Sequence, residues 1–386
     1  MTGHDPRLLA WAYLSKVVQG ACPPLAQLAA AVGPVDAARA VRERDLSSFL
    51  DRRTSARAHL DTAARDLDLL RSMGGRLVTP DDDEWPRWRL LAFDALGSGR
   101  DDGAPLALWV LGDRSVDELA ARSVAVVGTR AASSYGEHVT AEIVGDLAAD
   151  GWTIVSGAAF GVDAAAHRAA LGVGGLTVAV LACGVDRAYP AGHGRLLQQI
   201  ARDGAVISEY PPGTSPARYR FLARNRLVAG LSEAVVVVEA GWRSGARNTA
   251  TWGRRLGRPV LAVPGPVTSA ASTGCHRMIR EGEARLVSSA ADVVEEAGPI
   301  GVDGEGLGPA RALDVLQGDA ATVYEALPAA GTCSTRELSE ESGVTIERVR
   351  AVLPVLELDG FVGSDESGGS GAADPRSIRP RASSRP

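Results

Sequence analysis

Lysine is nearly missing from this chain: Lys16 stands alone among 386 residues, and every other side chain in the Lys-plus-Arg count is arginine. A GC-rich genome produces that ratio unaided, so only the placement of the arginines carries functional weight. Cysteine is scarce too. Cys22, Cys183, Cys275 and Cys333 are far apart in sequence, with no CxxC pair and no histidines at ligand spacing, which excludes a disulfide framework and a zinc site and leaves reduced thiols. No apolar stretch approaches the roughly 20 residues of a membrane span. The first residues read TGHDPR, acidic and helix-breaking rather than basic and then apolar, so a soluble cytoplasmic protein with no membrane partner is expected. The nucleotide-binding fingerprints are absent as well. The first core loop reads GTRAASSYG where a dinucleotide fold needs GxGxxG, the second core strand ends in Ser156-Gly157 rather than a ribose-holding acid, and no GxxxxGK[ST] occurs, which disfavours NAD binding and P-loop chemistry. The net charge of −6 argues, by itself, against a nucleic-acid partner.

What is present is a chain long enough for two or three domains, 45% apolar and so able to bury a sizeable core. Residues 1–72 read as helices, with Leu8, Leu9, Tyr13 and Val17, then Leu60, Ala64, Leu67 and Leu70, at helical spacing, and with Pro23-Pro24 and Gly33-Pro34 as breaks. Residues 73–123 read as a connecting segment, whose acidic run Asp81–Glu84 is a solvated loop rather than a metal site. From residue 124 to 297 the pattern alternates strand, loop and helix. Strands are expected at Val124–Val127, Thr153–Val155, Thr177–Leu181, Ala205–Ile207, Ala234–Val238 and Pro259–Val263. Continuous Val/Ala/Leu runs mean strands buried on both faces, hence an α/β fold with a Rossmann-like parallel sheet covered by helices. A glycine-rich linker (298–318) follows, then three short helices and a wing strand, a winged-helix domain (319–364) with a capping box at Ser334 and Glu337, and a disordered tail (365–386) rich in Ser, Gly, Pro and Arg.

In such a sheet the loops at the carboxyl ends of the strands share one crevice. Here those loops read VGTR, SGAAFGVDAAAH, YPAGH, FLARNRLVAGLS, EAGWRSGA and GCHRMIREGE, glycine-lined and arginine-bearing. From Arg218 to Arg258 nine arginines face only Glu233 and Glu239, a local balance of +7 inside an acidic protein. Gly128, Thr129 and Arg130 bring backbone and a guanidinium to an anion, and Ser156, Gly157 and Gly161 repeat the arrangement at the next helix N-terminus. Asp163 and His167 lie four apart on that helix, within reach of each other. As an acid/base pair they would suggest a hydrolase; without a nucleophile the preferred reading is that Asp163 complements the helix N-terminus while His167 packs or binds phosphate. Arg224-Asn225-Arg226 is expected on an opening helical turn. The RxR spacing points its two cations to different sides, so one can be structural, paired with Glu239 or Glu209. Trp242, Arg243, Ser244, Gly245 and Arg247 supply an aromatic, cations and a helix N-terminus, as stacking and charge neutralisation of a single strand require; Trp242 as loop packing is the equal alternative.

These segments, spread from Val124 to Glu283, resemble the motifs of the DNA-processing protein A (DprA, also called Smf) family: VAVVGTR, VSGAAFGVDAAAHRAAL, YPAGH, SEYPPGT, RNRLVAGLS, VVVEAGWRSGA, AVPGPV and GCHRMIREGE. LVTPDDDEWPRW matches the family's segment before the core, and a helical, sterile-alpha-motif-like N-terminal part with a C-terminal winged helix fits its layout. The resemblance implies a non-enzymatic protein of natural transformation that binds and protects incoming single-stranded DNA and loads RecA recombinase onto it, with no metal or cofactor. It carries over to the loop residues named above, with Arg277 of the last loop added to the DNA contacts. The chain departs from the family at Phe160, where a basic residue is usual, at Leu222, where proline is usual, and at Arg247, where the family is commonly apolar. One crevice covers only a few nucleotides, so a homodimer presenting two is expected.

Two other readings remain. The core also resembles nucleotide-phosphate hydrolases of the lysine-decarboxylase-like group, but their PGGxGT loop and downstream glutamate are replaced by EAGWRSGARNTA, which removes the catalytic acid. A duplex-DNA regulator would act through the C-terminal module, yet residues 319–364 carry three arginines against eight acids, a balance that suits a protein partner better than phosphates.

Overall fold

The computed structural model describes residues 3–96, 102–242, 244–298, 316, 318–328, 332–358, 361–366 and 376–380. The chain divides into two units, Met1–Gly304 and Glu305–Pro386. The first is built on a sheet with strands β1 Gly75–Val78, β2 Leu108–Leu111, β3 Ser123–Val127, β4 Thr153–Ser156, β5 Thr177–Val180, β6 Ala205–Ser208, β7 Ala234–Val237, β8 Val260–Ala262 and β9 Arg285–Leu286. Their order is β1-β2-β6-β5-β4-β3-β7-β8-β9. From β6 through β9 every pairing is parallel, as the apolar runs require, while β1 and β2 pair antiparallel with each other and β2 pairs antiparallel with β6.

The period of two in each strand sorts the valines between two helical layers. Ala125, Val127, Val155, Val235 and Val237 join one core, and Val124, Val126, Ile154, Val236 and Val238 the opposite one. The strands after β3 run first to one side and then, with β7, to the other, so the loops following β3 and β7 part at this switch point and leave a crevice at the carboxyl edge.

Two expectations about the layout change. Residues 73–123, read as a connector, supply β1, β2 and a helix, Val116–Ala121; Leu108–Leu111 stands outside the regular alternation of strand and helix and is fixed as a strand by pairing with β6. Residues 1–72 fold as helices Pro6–Val18, Pro23–Val32, Pro34–Glu43, Ser48–Thr54 and Ala63–Ser72, the first three opening on proline, whose missing N–H costs nothing there. Their apolar faces share a core with Leu77 of β1, Trp109 of β2 and Val206 of β6. That N-terminal part therefore packs on the sheet rather than standing apart.

In the second unit, helices Asp319–Glu325, Thr335–Ser342 and Ile346–Leu358 enclose a small core of Val323, Leu338, Val349 and Leu356. Ser334 and Glu337 form the expected capping box, and Gly343 closes that helix at φ 72°. Arg376–Pro380, assigned above to a disordered tail, is a strand (β11) antiparallel to β10, Val362–Glu366. Ile378 is the reason, since it inserts into the same core while its backbone exchanges hydrogen bonds with Cys333. The expected linker 298–318 lies, except for Gly298, Leu316 and Gly318, outside the described residues.

Candidate nucleic-acid interface

At the carboxyl edge of β3, β4 and β7 lies a cleft of about 440 Å³. Gly128, Thr129 and Arg130 after β3, Gly157 and Asp163 after β4, helix Arg218–Gly230, and Ser244 and Gly245 after β7 line it. Among the described residues its charged lining is two arginines against one carboxylate, a positive site inside an acidic chain.

The glycines serve packing more than anion binding. Gly161 sits at φ 75°, where side chains are strained, and a Cβ there would overlap the Thr129 carbonyl, which accepts the Val162 amide at 3.2 Å. Gly157 has no room for a Cβ because the Arg224 guanidinium lies against it. Arg224 is 4% exposed on the cleft floor, and its Nη1 donates to the Val180 carbonyl. Burial weakens its hold on its proton, which the carboxylate of Asp163 opposes. Asp163 in turn is pushed up by burial and held down by the Arg224 charge and by the amides of Ala159 and Gly157. Its Oδ2 accepts from Ala159 at 3.3 Å. This buried pair is fixed scaffolding for the loop.

Arg130 behaves differently. It is exposed at the mouth, its guanidinium 5.4 Å from the ring of Phe221, which lies 5.3 Å from Tyr189. Phe160, the departure from a basic residue, is half-exposed and packs edge-on against His193 at 4.6 Å. The sequence reading passed over Phe221 and Tyr189, because nothing local brings residues 32 apart in sequence together. The only available signal was that both stand inside arginine-bearing core loops.

Several expected contacts turn inward. Arg226 is 1% exposed and paired at 2.5 Å with Glu209, the structural role the RxR spacing allowed for one of the two. The Arg-Asn-Arg run lies in mid-helix rather than in an opening turn, so successive side chains fan out to the floor, the cleft and the core. Asn225 faces the cleft and donates to Asn248 at 3.2 Å. Among the described residues Glu239 meets no arginine; its carboxylate accepts from the Ser133 amide at 2.9 Å and from the Ser133 hydroxyl. Ser156 is buried and donates to the Val126 carbonyl at 2.7 Å.

His167 is fully buried and bonded to Thr177 rather than Asp163, with 2.7 Å from Nδ1 to Oγ1. The Thr177 hydroxyl donates to the Ile154 carbonyl, so it accepts from the ring, and Nδ1 carries the proton. Burial, helped by the charges of His193, Arg224 and Arg168, lowers the His167 pKa to about 3. The ring is neutral and buried away from the cleft surface.

Outside the cleft, Arg247 pairs with Glu283 at 3.5 Å, and Arg277 pairs with Glu281 at 2.8 Å while lying 4.5 Å from the exposed ring of Trp242. Ser244 and Gly245 stay on the cleft wall, where the Ser244 hydroxyl takes up the Ala246 amide at 3.2 Å. Arg243 lies outside the described residues. Among the described residues no group of His, Cys, Asp and Glu is arranged to hold a metal ion, and no helix is long and apolar enough to cross a membrane.

Comparison with known proteins agrees with this architecture. Residues 76–298 match the family described as DNA recombination-mediator protein A. A curated relative from Mycobacterium tuberculosis that carries the DprA name is 53% identical over 360 residues, 92% of each chain. DNA processing protein DprA of Streptococcus pneumoniae is 44% identical over 193 residues, 50% of this chain and 67% of that one. The crystal structure of the Streptococcus pneumoniae protein superposes with a TM-score of 0.61 at 31% identity, covering 77% of this chain and 99% of that chain. With the family match spanning the sheet, and a relative sharing half of all residues nearly end to end, the chain belongs to the DNA-processing protein A (DprA/Smf) family.

Proposed function

We propose that the cleft binds single-stranded DNA without sequence preference, and that the protein protects such strands and hands them to RecA recombinase in the cytoplasm. The observation that carries the reading is Arg130 exposed beside Phe221 and Tyr189 at the mouth of a net-positive cleft. A cation beside aromatic rings neutralises phosphate and stacks bases of any identity, and a mouth open to unpaired bases favours a single strand over a duplex. Catalysis has no support in the same residues. Asp163 is tied to backbone amides and Arg224, and His167 is neutral and turned toward Thr177. The proposal calls for no metal and no cofactor. One cleft is short relative to a recombinase substrate, so the working species is a homodimer presenting two. The second unit, with three helices and a two-stranded sheet, fits a winged-helix module, and its acidic balance suits a protein partner better than DNA.

Titration against single-stranded and duplex DNA at several salt concentrations tests the reading. Single strands should bind more tightly, with affinity falling steeply as salt rises, because bound phosphates release counterions. Equal affinity for duplex, or indifference to salt, would falsify it.

A further inference from the structure

A second cleft, of about 390 Å³, opens on the other side of helix Arg218–Gly230, between that helix and the N-terminal helices. Leu222 lines both clefts, as the ridge between them. Asn225 of the first cleft is hydrogen-bonded to Asn248 of the second. Arg53, Arg57 and Tyr219 stand on its walls, and its described lining contains no carboxylate. Arg226 at its base is already neutralised by Glu209, whereas Arg57 donates at 2.8 Å only to a neutral group, the Val17 carbonyl. Burial weakens the hold of Arg57 on its proton, opposed by Tyr219 and reinforced by the charges of Arg220 and Arg53. Arg220 is likewise bonded to neutral acceptors, the Ser215 carbonyl and Gln19 Oε1. Tyr219 is 60% exposed, with the Arg220 guanidinium 5.1 Å from its ring. An accumulation of guanidinium groups without a lining carboxylate, next to an exposed ring, is an anion site with a stacking surface.

We propose that a DNA strand held in the first cleft continues over Leu222 into the second, where Arg57 takes a phosphate and Tyr219 stacks on a base. This extension rests on the single-strand reading of the first cleft. Tyr219 and Leu222 are three apart on one helix, hence surface neighbours about 5–6 Å apart, a spacing that suits successive bases. The N-terminal part of the chain, through Arg57, thereby joins the nucleic-acid track.

Strand length separates the two clefts. Oligodeoxythymidylates of about six and about twenty nucleotides, bracketing the span one site covers, are titrated against the full-length protein and its Tyr219→Ala, Arg57→Gln and Arg130→Ala variants. Tyr219→Ala should weaken the longer strand at least about fivefold and leave the shorter one unchanged. Arg57→Gln should do the same and lower the slope of log affinity on log salt by about 0.7. Should Arg57→Gln disturb the fold through its Val17 contact, Tyr219→Ala decides, because its side chain is exposed. A bromodeoxyuridine-substituted long strand should photocrosslink to the segment holding Tyr219. If Arg130→Ala weakens both lengths while the other two variants match the parent, the second cleft is off the track and the first stands. If Arg130→Ala weakens neither, the reading of the first cleft fails and takes the extension with it.

Discussion

Replacing Arg226 by alanine removes a guanidinium that is 1% exposed and bonded at 2.5 Å to Glu209, itself buried. Both groups sit behind the sheet edge, and the Arg226 guanidinium also lies 5.8 Å from the Phe93 ring. Deleting one partner of a buried ion pair costs about 3–5 kcal/mol, because the remaining charge keeps its desolvation penalty while losing its attraction. Against a total stability of about 5–15 kcal/mol, that is a large fraction. In urea, at a slope near 3 kcal/mol per M, the unfolding midpoint should fall by roughly 1 M or more. The double variant Arg226→Met, Glu209→Gln should recover much of the loss, since it leaves neither charge behind. Protein that remains folded should bind short single strands within about twofold of the parent, because Arg226 does not reach the first cleft, a difference of well under 1 kcal/mol. A variant with an unshifted midpoint and weakened DNA binding would refute this account and return Arg226 to the DNA.

Arg130→Ala should behave in the opposite manner: an unchanged urea midpoint, with affinity lowered for all sequences alike and a salt slope smaller by about 0.7, as expected when an exposed phosphate contact is removed. His167 has a folded pKa of about 3 against an ordinary value near 6.5, so below pH 6.5 the unfolded chain takes up a proton that the folded one refuses. Stability should therefore fall as pH drops from 6.5 toward 3, by about 2–3 kcal/mol at pH 4.5 from this residue, and His167→Gln should flatten that part of a stability-versus-pH curve; an identical curve in the variant sinks the assignment. Gly157→Ala should weaken short-strand binding by pushing the Arg224 guanidinium out of its seat, seen as lower affinity with Arg130 intact. A chain cut after Gly298 should keep dimerisation and single-strand binding and should still promote RecA filaments on coated DNA, and light scattering showing a monomer of full affinity would refute the dimer.

The parallel core was legible in the sequence because its information is local. Runs such as Val124–Val127 and Ala234–Val237 are apolar at every position, and only a strand covered on both faces tolerates that. With strands alternating with helices, the carboxyl-edge crevice and the loops that line it followed from topology alone. Burial of individual cations was a different matter. Arg224, Arg226 and Arg130 are the same residue type in motif segments of one core, yet one forms the floor, one faces Glu209 in the core and one stands in solvent. Which of these an arginine becomes depends on helix phase and on a partner 17 residues away, neither of which composition records. The edge strands β1 and β2 and the strand around Ile378 were hidden for a related reason: they lie outside the regular alternation of strand and helix, and their structure comes from the strand they pair with. Sequence thus determined the parallel core strands and the family, through periodicity and motif, while the strand order came from the tertiary structure. Tertiary structure alone decided which charges stay exposed at the cleft and which are buried, because desolvation acts on where a side chain ends up and not on what it is.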